Sequence, residues 1–205
     1  MTENYYDKVH QIIHYMVLYG VLHPFYYLRY KTKIIGRENI PKPPYLIVSN
    51  HYSYYDPTII SLASLSPVAY IAKKELFEEK SLLSKIITFL GAIPINREKP
   101  APSTLKIIKK VVSAKWPIGI FIEGTRNQSR ETLTKLETGA AFIAKFAGGL
   151  PVLPLGIRGG NKPFGSLEVH IGEVIPFDKN LSLEELTLKY GQSIAKLADL
   201  ELKLS

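Results

Sequence analysis

Past residue 40, short apolar runs alternate with longer stretches in which apolar residues recur every three or four positions. The short runs cover residues 45–48, 68–72, 92–95, 118–122, 152–157 and 167–171. Most begin just after a proline or glycine and none is long enough for a helix, so the pattern predicts six strands. Between them, Asp56-Pro57 opens one helix, and residues 81–90 carry Leu82, Leu83, Ile86, Ile87 and Leu90 on a second. Residues 103–114 form a third, with Ser103 as N-cap and a stripe of Leu105, Ile108, Val111 and Val112. A fourth over 137–147 is stopped by Gly148-Gly149, and the last covers 183–202, opened by a Ser182/Glu185 capping box. Strand–helix alternation of this kind predicts an α/β fold, a largely parallel central sheet flanked by helices.

The N-terminal stretch reads differently. Residues 9–28 are rich in apolar side chains, but His10, Gln11, His14, His23 and Pro24 interrupt them. A spanning helix needs about 20 uninterrupted apolar residues, so this one does not qualify. Ile12, Ile13, Met16, Val17 and Val21 give a broad apolar face. Tyr15, Tyr19, Tyr26, Tyr27 and Tyr30 add amphipathic rings, and Arg29, Lys31 and Lys33 follow. That combination suits the headgroup region of an anionic leaflet, and equally an amphipathic helix packed on the domain core. Residues 1–8 are polar with mixed charge, and no small-residue cleavage site follows, which argues against a cleavable signal. The expected organisation is an N-terminal amphipathic helical extension at a membrane surface, 1–33, on a domain of residues 34–205, one compact unit in all.

Composition narrows the function. The chain of 205 residues suffices for one domain with a full core. It has no cysteine, which removes disulfides, zinc–thiolate sites and cysteine nucleophiles and is compatible with a reducing cytosol. A net charge of +8 favours an anionic partner: nucleic acid, an acidic membrane or phosphorylated substrates. Mean hydropathy of +0.03 is too high for a disordered basic tail and too low for a multi-spanning protein.

In α/β sheets, chemistry collects beyond the carboxyl ends of the strands. The first strand there delivers Ser49-Asn50-His51-Tyr52-Ser53-Tyr54-Tyr55-Asp56-Pro57. An aspartate on one imidazole nitrogen fixes the tautomer, so the other nitrogen can take a proton from a hydroxyl. With no Gly-x-Ser-x-Gly elbow in the chain, the pair suits an enzyme whose nucleophile belongs to the substrate. Asp56-Pro57 also fits a helix start with aspartate as N-cap.

Lys73-Lys74, Asn96-Arg97, Glu123-Gly124-Thr125-Arg126 and Arg158-Gly159-Gly160 follow the next strands. Cations at four of five strand ends resemble a phosphate site beside a base. Arg97 and Arg126 offer bidentate forks, and Lys73 offers a point charge with Lys74 as its solvated neighbour. Gly124 permits a tight turn, Thr125 adds a hydroxyl, and Glu123 is placed to anchor and aim an arginine. Basic residues that stand singly, instead of in a stripe with stacking aromatics, argue against nucleic acid. His10, His14, His23 and His170 have no aspartate at comparable spacing and read as structural or surface residues, whereas Tyr52, Tyr54 and Tyr55 are close enough to His51 to line a site.

Five segments stand in order: Asn50-His51-x4-Asp56; Ala72-Lys73-Lys74-Glu75-Leu76; Gly91-x3-Ile95-x-Arg97; Phe121-Ile122-Glu123-Gly124-Thr125-Arg126; and Leu150-Pro151-Val152-Leu153-Pro154-Leu155. Over residues 34–174 they resemble the 1-acylglycerol-3-phosphate O-acyltransferase family of the PlsC type. Asn127 stands where that family usually has serine, with Ser129 as the nearby hydroxyl that would replace it. The resemblance implies transfer of a fatty acyl group from an acyl thioester, acyl-CoA or acyl carrier protein, to the free hydroxyl of lysophosphatidic acid. The product would be phosphatidic acid, in phospholipid synthesis. It implies His51 as general base and Asp56 as its orienting partner, with Lys73, Arg97, Glu123, Gly124, Thr125 and Arg126 around the acceptor phosphate. The turn at Asn96-Arg97 is a candidate for the oxyanion. No cofactor beyond the thioester co-substrate and no metal is implied. The expected partners are the acyl donor, a lysophospholipid and an anionic membrane surface. The enzyme would sit on the cytoplasmic face of a membrane, peripheral or monotopic, since the chain lacks the clear transmembrane helix of many relatives. Glycerol 3-phosphate or another lysolipid is the alternative acceptor. A non-catalytic basic membrane-binding module is the alternative class.

Overall fold

All six apolar runs form strands, and their burial explains why they were legible. In the computed structural model, which describes residues 6–78, 81–96, 100–160 and 162–204, the chain begins with one long helical arm. The arm comprises α1 (Lys8–Val17), a π-helical turn (Leu18–Leu22) and α2 (His23–Arg29). Then follow β1 (Lys31–Ile35), β2 (Leu46–Ser49), α3 (Asp56–Ser64), β3 (Ala69–Lys73), α4 (Glu75–Glu78), α5 (Leu82–Phe89) and β4 (Ile93–Ile95). The remainder is α6 (Pro102–Ser113), β5 (Ile118–Phe121), β6 (Thr132–Leu133), α7 (Gly139–Phe146), β7 (Val152–Gly159), β8 (Ser166–Ile171), α8 (Leu183–Ala198) and β9 (Glu201–Leu202).

The seven-stranded sheet runs β1-β8-β7-β2-β5-β3-β4. β7, β2, β5, β3 and β4 are parallel, β8 is antiparallel to β7, and β1 lies parallel to β8. The sheet is therefore mixed but mostly parallel. Central β2 is buried along its whole length because both faces are covered, as parallel strands require. On one face Leu46 and Val48 pack with Ile108 and Val111 of α6, Ile143 of α7, and Leu186, Tyr190 and Ile194 of α8. On the other, Ile47 packs with Ile59, Ile60 and Leu62 of α3 and with Leu18 and Tyr26 of the N-terminal arm. Each such large side chain contributes about 1.5–3 kcal/mol on burial.

Three boundaries differ from expectation. β1 carries no contiguous apolar run: Thr32 and Ile34 are half-buried while Lys31, Lys33 and Ile35 face out, as befits an edge strand. It straddles residues 33 and 34, so the arm feeds directly into the sheet. α6 starts at Pro102 with Ala101 as its N-cap, not Ser103, because proline is preset for the first helical position. α8 keeps its Ser182/Glu185 capping box but ends at Ala198, where Asp199 turns left-handed at φ 59° and β9 then pairs with β6.

The arm shows both faces its pattern allowed. Leu18 and Tyr26 are buried, the Tyr6 hydroxyl donates to the Gly91 carbonyl at 3.0 Å, and His14 stands edge-on to Trp116 at 5.2 Å. Val9, Ile12, Met16, Val21, Phe25 and Leu28 point to solvent. Among the described residues, no helix is long and apolar enough to cross a membrane.

Candidate active site

β2 ends at Ser49, and the next residue keeps the chain tied to the sheet by its side chain. The buried Asn50 donates Nδ2–H to the Ile157 carbonyl at 3.0 Å and accepts the Ile157 N–H at 2.8 Å. This reproduces a ladder pair to β7 and fixes where the following loop departs. Its signal in sequence was an amide just past an apolar strand that closes on Ser49, and residue-type reasoning gave it no role.

His51 comes next. Its ring stacks on Phe121 of the neighbouring β5, 3.8 Å between centroids at 12°. Its Nδ1 lies 2.8 Å from Asp56 Oδ2. Asp56 is the best-satisfied polar group of the rim: Oδ2 also accepts the Tyr52 and Ser53 N–H groups at 2.5 and 2.7 Å, and Oδ1 accepts the Ser53 hydroxyl at 2.8 Å. The carboxylate therefore turns back into the loop and does not cap α3, whose N-cap is Tyr55. The local reason is geometric: a four-residue loop brings two consecutive amides onto one oxygen before the helix begins. An acceptor-only carboxylate makes Nδ1 the protonated nitrogen and leaves Nε2 with its lone pair. The two side chains differ in access, with His51 16% exposed and Asp56 2%. The imidazole is partly open to solvent while its carboxylate partner stays dry.

α3 is held at its first turn from two sides. The Tyr70 hydroxyl of β3 donates to the Pro57 carbonyl at 2.6 Å. Its ring fits because β5 has glycine opposite; a Cβ on Gly119 would lie 2.5 Å from it. From the arm, the Tyr26 hydroxyl meets Thr58 Oγ1 at 2.5 Å.

The segment after β5 turns at Gly124, φ +64°. Glu123 just before it is 2% exposed, and burial pushes its carboxyl up to about 7. The Asn127 amide and the backbone N–H groups of Thr134 and His51 act against that rise. Among the described residues, which exclude Arg97, Glu123 pairs with no arginine. It points inward under the turn and accepts from Asn127 Nδ2 at 2.6 Å. Asn127 is the hub of the turn: its N–H donates to the His51 carbonyl at 2.7 Å, Nδ2 also reaches the Thr132 carbonyl at 2.8 Å, and Oδ1 accepts the Ser129 N–H at 2.8 Å. The Ser129 hydroxyl meets the Thr132 hydroxyl at 2.9 Å.

Arg126 is exposed, its guanidinium 3.7 Å above the Tyr54 ring with Nη2 donating to the Tyr54 hydroxyl at 2.9 Å. Thr125 is exposed beside it, and Gly124 is half-buried. Lys73 is exposed at the end of β3, two strands from β2 on the same rim. Arg97 and part of the Asn96-Arg97 turn lie outside the described residues. Arg158 leaves the rim: it donates through Nε to the Leu197 carbonyl at 2.7 Å and through Nη2 to Lys196 at 3.3 Å, capping the end of α8. His10 does have a carboxylate, Asp7 at 2.9 Å, and His170 meets Glu168 at 3.2 Å, both as local pairs away from β2. Among the described residues, no cluster of three or more His, Asp or Glu side chains can share a metal ion.

Residues 31–158, from the first residue of β1 to the last but one of β7, match the family profile described as Acyltransferase. The chain belongs to the acyltransferase family. It is 33% identical over 156 residues to the 1-acyl-sn-glycerol-3-phosphate acyltransferase of Bacillus subtilis, covering 71% of this chain and 74% of that protein. It is 30% identical to a probable 1-acyl-sn-glycerol-3-phosphate acyltransferase of Mycoplasma pneumoniae, over 72% of this chain and 57% of that one. Among solved structures, the 1-acyl-sn-glycerophosphate (LPA) acyltransferase PlsC of Thermotoga maritima shares the fold. It matches with a TM-score of 0.68 at 24% identity, over 89% of this acyltransferase and 78% of that chain.

Proposed function

We propose that this acyltransferase moves a fatty acyl group from an acyl thioester to the free hydroxyl of lysophosphatidic acid, giving phosphatidic acid. The observation that carries the reading is the 2.8 Å contact from His51 Nδ1 to an Asp56 carboxylate that three further donors hold still. A fixed Nδ1–H aims Nε2 as a base, and the acceptor supplies the nucleophile the chain lacks. Nε2 takes the hydroxyl proton as the oxygen adds to the thioester carbonyl. The tetrahedral adduct then expels the thiolate, which recovers the proton from the imidazolium, so C–O forms and C–S breaks with no net change in protons. Proton transfer of this kind contributes about a hundred- to ten-thousand-fold. Holding the acceptor by its phosphate supplies further rate by making the attack effectively unimolecular. Arg126 and Lys73 on the described rim, with Arg97 from the family block, are the cations for that task. Glu123 serves the same site from beneath by bracing the turn.

The donor is acyl-CoA or acyl carrier protein. Residues 1–33 act as the membrane-facing extension of a catalytic unit, 34–205, attached to one leaflet on its cytoplasmic face. The outward apolar residues of the arm support that attachment, and Leu82 and Ile86 of α5 are exposed as well. The test is purified protein with each thioester and a panel of acceptors, His51→Ala as control. Phosphatidic acid from lysophosphatidic acid, absent with the variant, is the expected result. Turnover of glycerol 3-phosphate alone, or transfer indifferent to His51, overturns the reading.

A further inference from the structure

Arg126 has a companion that residue pattern did not reveal. Arg130, four residues on, places its guanidinium 4.6 Å from the centre of the Tyr52 ring and donates Nη1–H to the Gly159 carbonyl at 2.5 Å. The two arginines of one loop thus lie on the two tyrosines of another, Arg126 on Tyr54 and Arg130 on Tyr52. Both rings belong to the four-residue span between His51 and Asp56. Arg130 in addition bridges to the end of β7, so its head is tied to two strand ends, the loop after β2 and the end of β7.

The manner of holding matters. A carboxylate would neutralise a guanidinium and occupy its fork. An aromatic face fixes the cation and leaves its charge and its in-plane N–H groups available. Each head uses one nitrogen on a neutral oxygen, the Tyr54 hydroxyl or the Gly159 carbonyl. Among the described residues, neither arginine has an acidic side chain within ion-pair distance. Two aimed, un-neutralised guanidiniums beside a base match a doubly charged anion that accepts several hydrogen bonds at once.

We infer that Arg130, seated on Tyr52, is the second guanidinium of a paired seat for a substrate phosphomonoester, with Arg126 on Tyr54 as the first. The inference rests on the acyl-transfer reading above for its choice of substrate. The phosphomonoester has two sources, the acceptor headgroup and the ribose phosphate of a coenzyme A donor, and kinetics separate them.

The experiment compares wild type with Arg130→Gln, Arg130→Lys and Tyr52→Leu in two assays. The first, free of turnover, is calorimetric binding of glycerol 3-phosphate. The second measures KM for lysophosphatidic acid and for acyl-CoA, each with the other saturating. Arg130→Gln is expected to weaken glycerol 3-phosphate binding and to raise one KM by about ten- to a hundredfold, with kcat within about threefold. Lysine should recover part of this, having the charge but not the fork, and Tyr52→Leu should shift the same KM by a smaller factor. A rise in the acceptor KM assigns the seat to the headgroup, a rise in the donor KM to coenzyme A, and either supports it. Unchanged binding with both KM values unchanged overturns it, as does a fall in kcat alone. Should the glutamine variant melt early, the lysine variant is judged by the same criteria. If wild type transfers no acyl group, the functional reading fails, and the calorimetric arm decides the seat by itself.

Discussion

The loop carrying His51 and the N-terminal arm flank the same short helix, α3, and are built on opposite physical terms. In the loop nearly every polar atom has an assigned partner: Asp56 takes four hydrogen bonds, Asn50 spans to β7, and Asn127 holds the His51 carbonyl. The arm turns Val9, Ile12, Met16, Val21, Phe25 and Leu28 to solvent and is anchored at a few points, Leu18, Tyr26 and His14 among them. Hydrogen bonds are directional and fix the position of an atom; apolar contact is not and fixes only a surface. The loop is suited to aiming a proton acceptor, the arm to lying on an oily plane. Damage should follow suit: one residue suffices in the loop, whereas losses in the arm accumulate by area.

The largest expected effect is in the loop. His51→Ala should lower acyl transfer by about a hundred- to ten-thousand-fold while the thermal midpoint stays within about 2 °C. Initial rates and calorimetry check this. Substantial residual turnover would mean that the ordered loop is only structural, and the contrast with the arm would collapse. The next effect tests the arm. Met16→Glu with Leu28→Glu should weaken co-sedimentation with phosphatidylglycerol vesicles by about ten- to a hundredfold, since each apolar side chain is worth about 1.5–3 kcal/mol when buried. Turnover of a short-chain, water-soluble acceptor should change by less than about threefold. Equal loss in both assays would show that the arm shapes the site and does not merely carry it to a surface.

A third test concerns a less comfortable neighbour of the loop, in the turn after β5. Glu123 has a folded pKa of about 7 against an ordinary 4.5 because burial disfavours its charge. Below 4.5 it is protonated in folded and unfolded chains alike and costs nothing. Between 4.5 and 7 the unfolded chain ionises first, so this residue's contribution to stability falls as pH rises, then levels off. A shift of that size corresponds to about 3 kcal/mol. Glu123→Gln keeps an acceptor for Asn127 and removes the charge. It should therefore gain stability over wild type on going from pH 5 to pH 8 in urea titrations. A gap that stays constant with pH would refute the ionisation argument.

What was legible in the chain follows the same division. The five parallel strands show as apolar runs because both faces of the sheet are covered. β1 did not show, since an edge strand tolerates Lys31, Thr32 and Lys33, and β9 pairs over two residues only. His51 and Asp56 were legible because their contact spans five positions of one loop. The Asn127 hub and the Arg130–Tyr52 stack were not, since they join residues some 75 positions apart that carry no shared period. Arg158 shows a different limit. A strand end reveals the rim, but the alternation of side chains decides the face, and Arg158 faces α8.

The smallest effect lies where the two regions meet. Tyr26 is buried in α2, its carbonyl accepts from Thr32 Oγ1 at 3.0 Å, and its hydroxyl reaches Thr58 in the first turn of α3, two residues past Asp56. This is a directional bond within an otherwise apolar contact, and it ties the arm to the helix that carries the aspartate. Tyr26→Phe keeps the ring packed and removes the bond, so stability should fall by about 1 kcal/mol, readable as a lower urea midpoint at unchanged slope. If the bond also transmits surface attachment to the loop, the ratio of activity with vesicles to activity without them should shrink in the variant. An unchanged ratio beside the stability loss would make the two regions neighbours that share a wall and work independently. An unchanged midpoint would mean that Thr58 finds its partner within α3, where it already donates to the Tyr55 carbonyl at 2.7 Å.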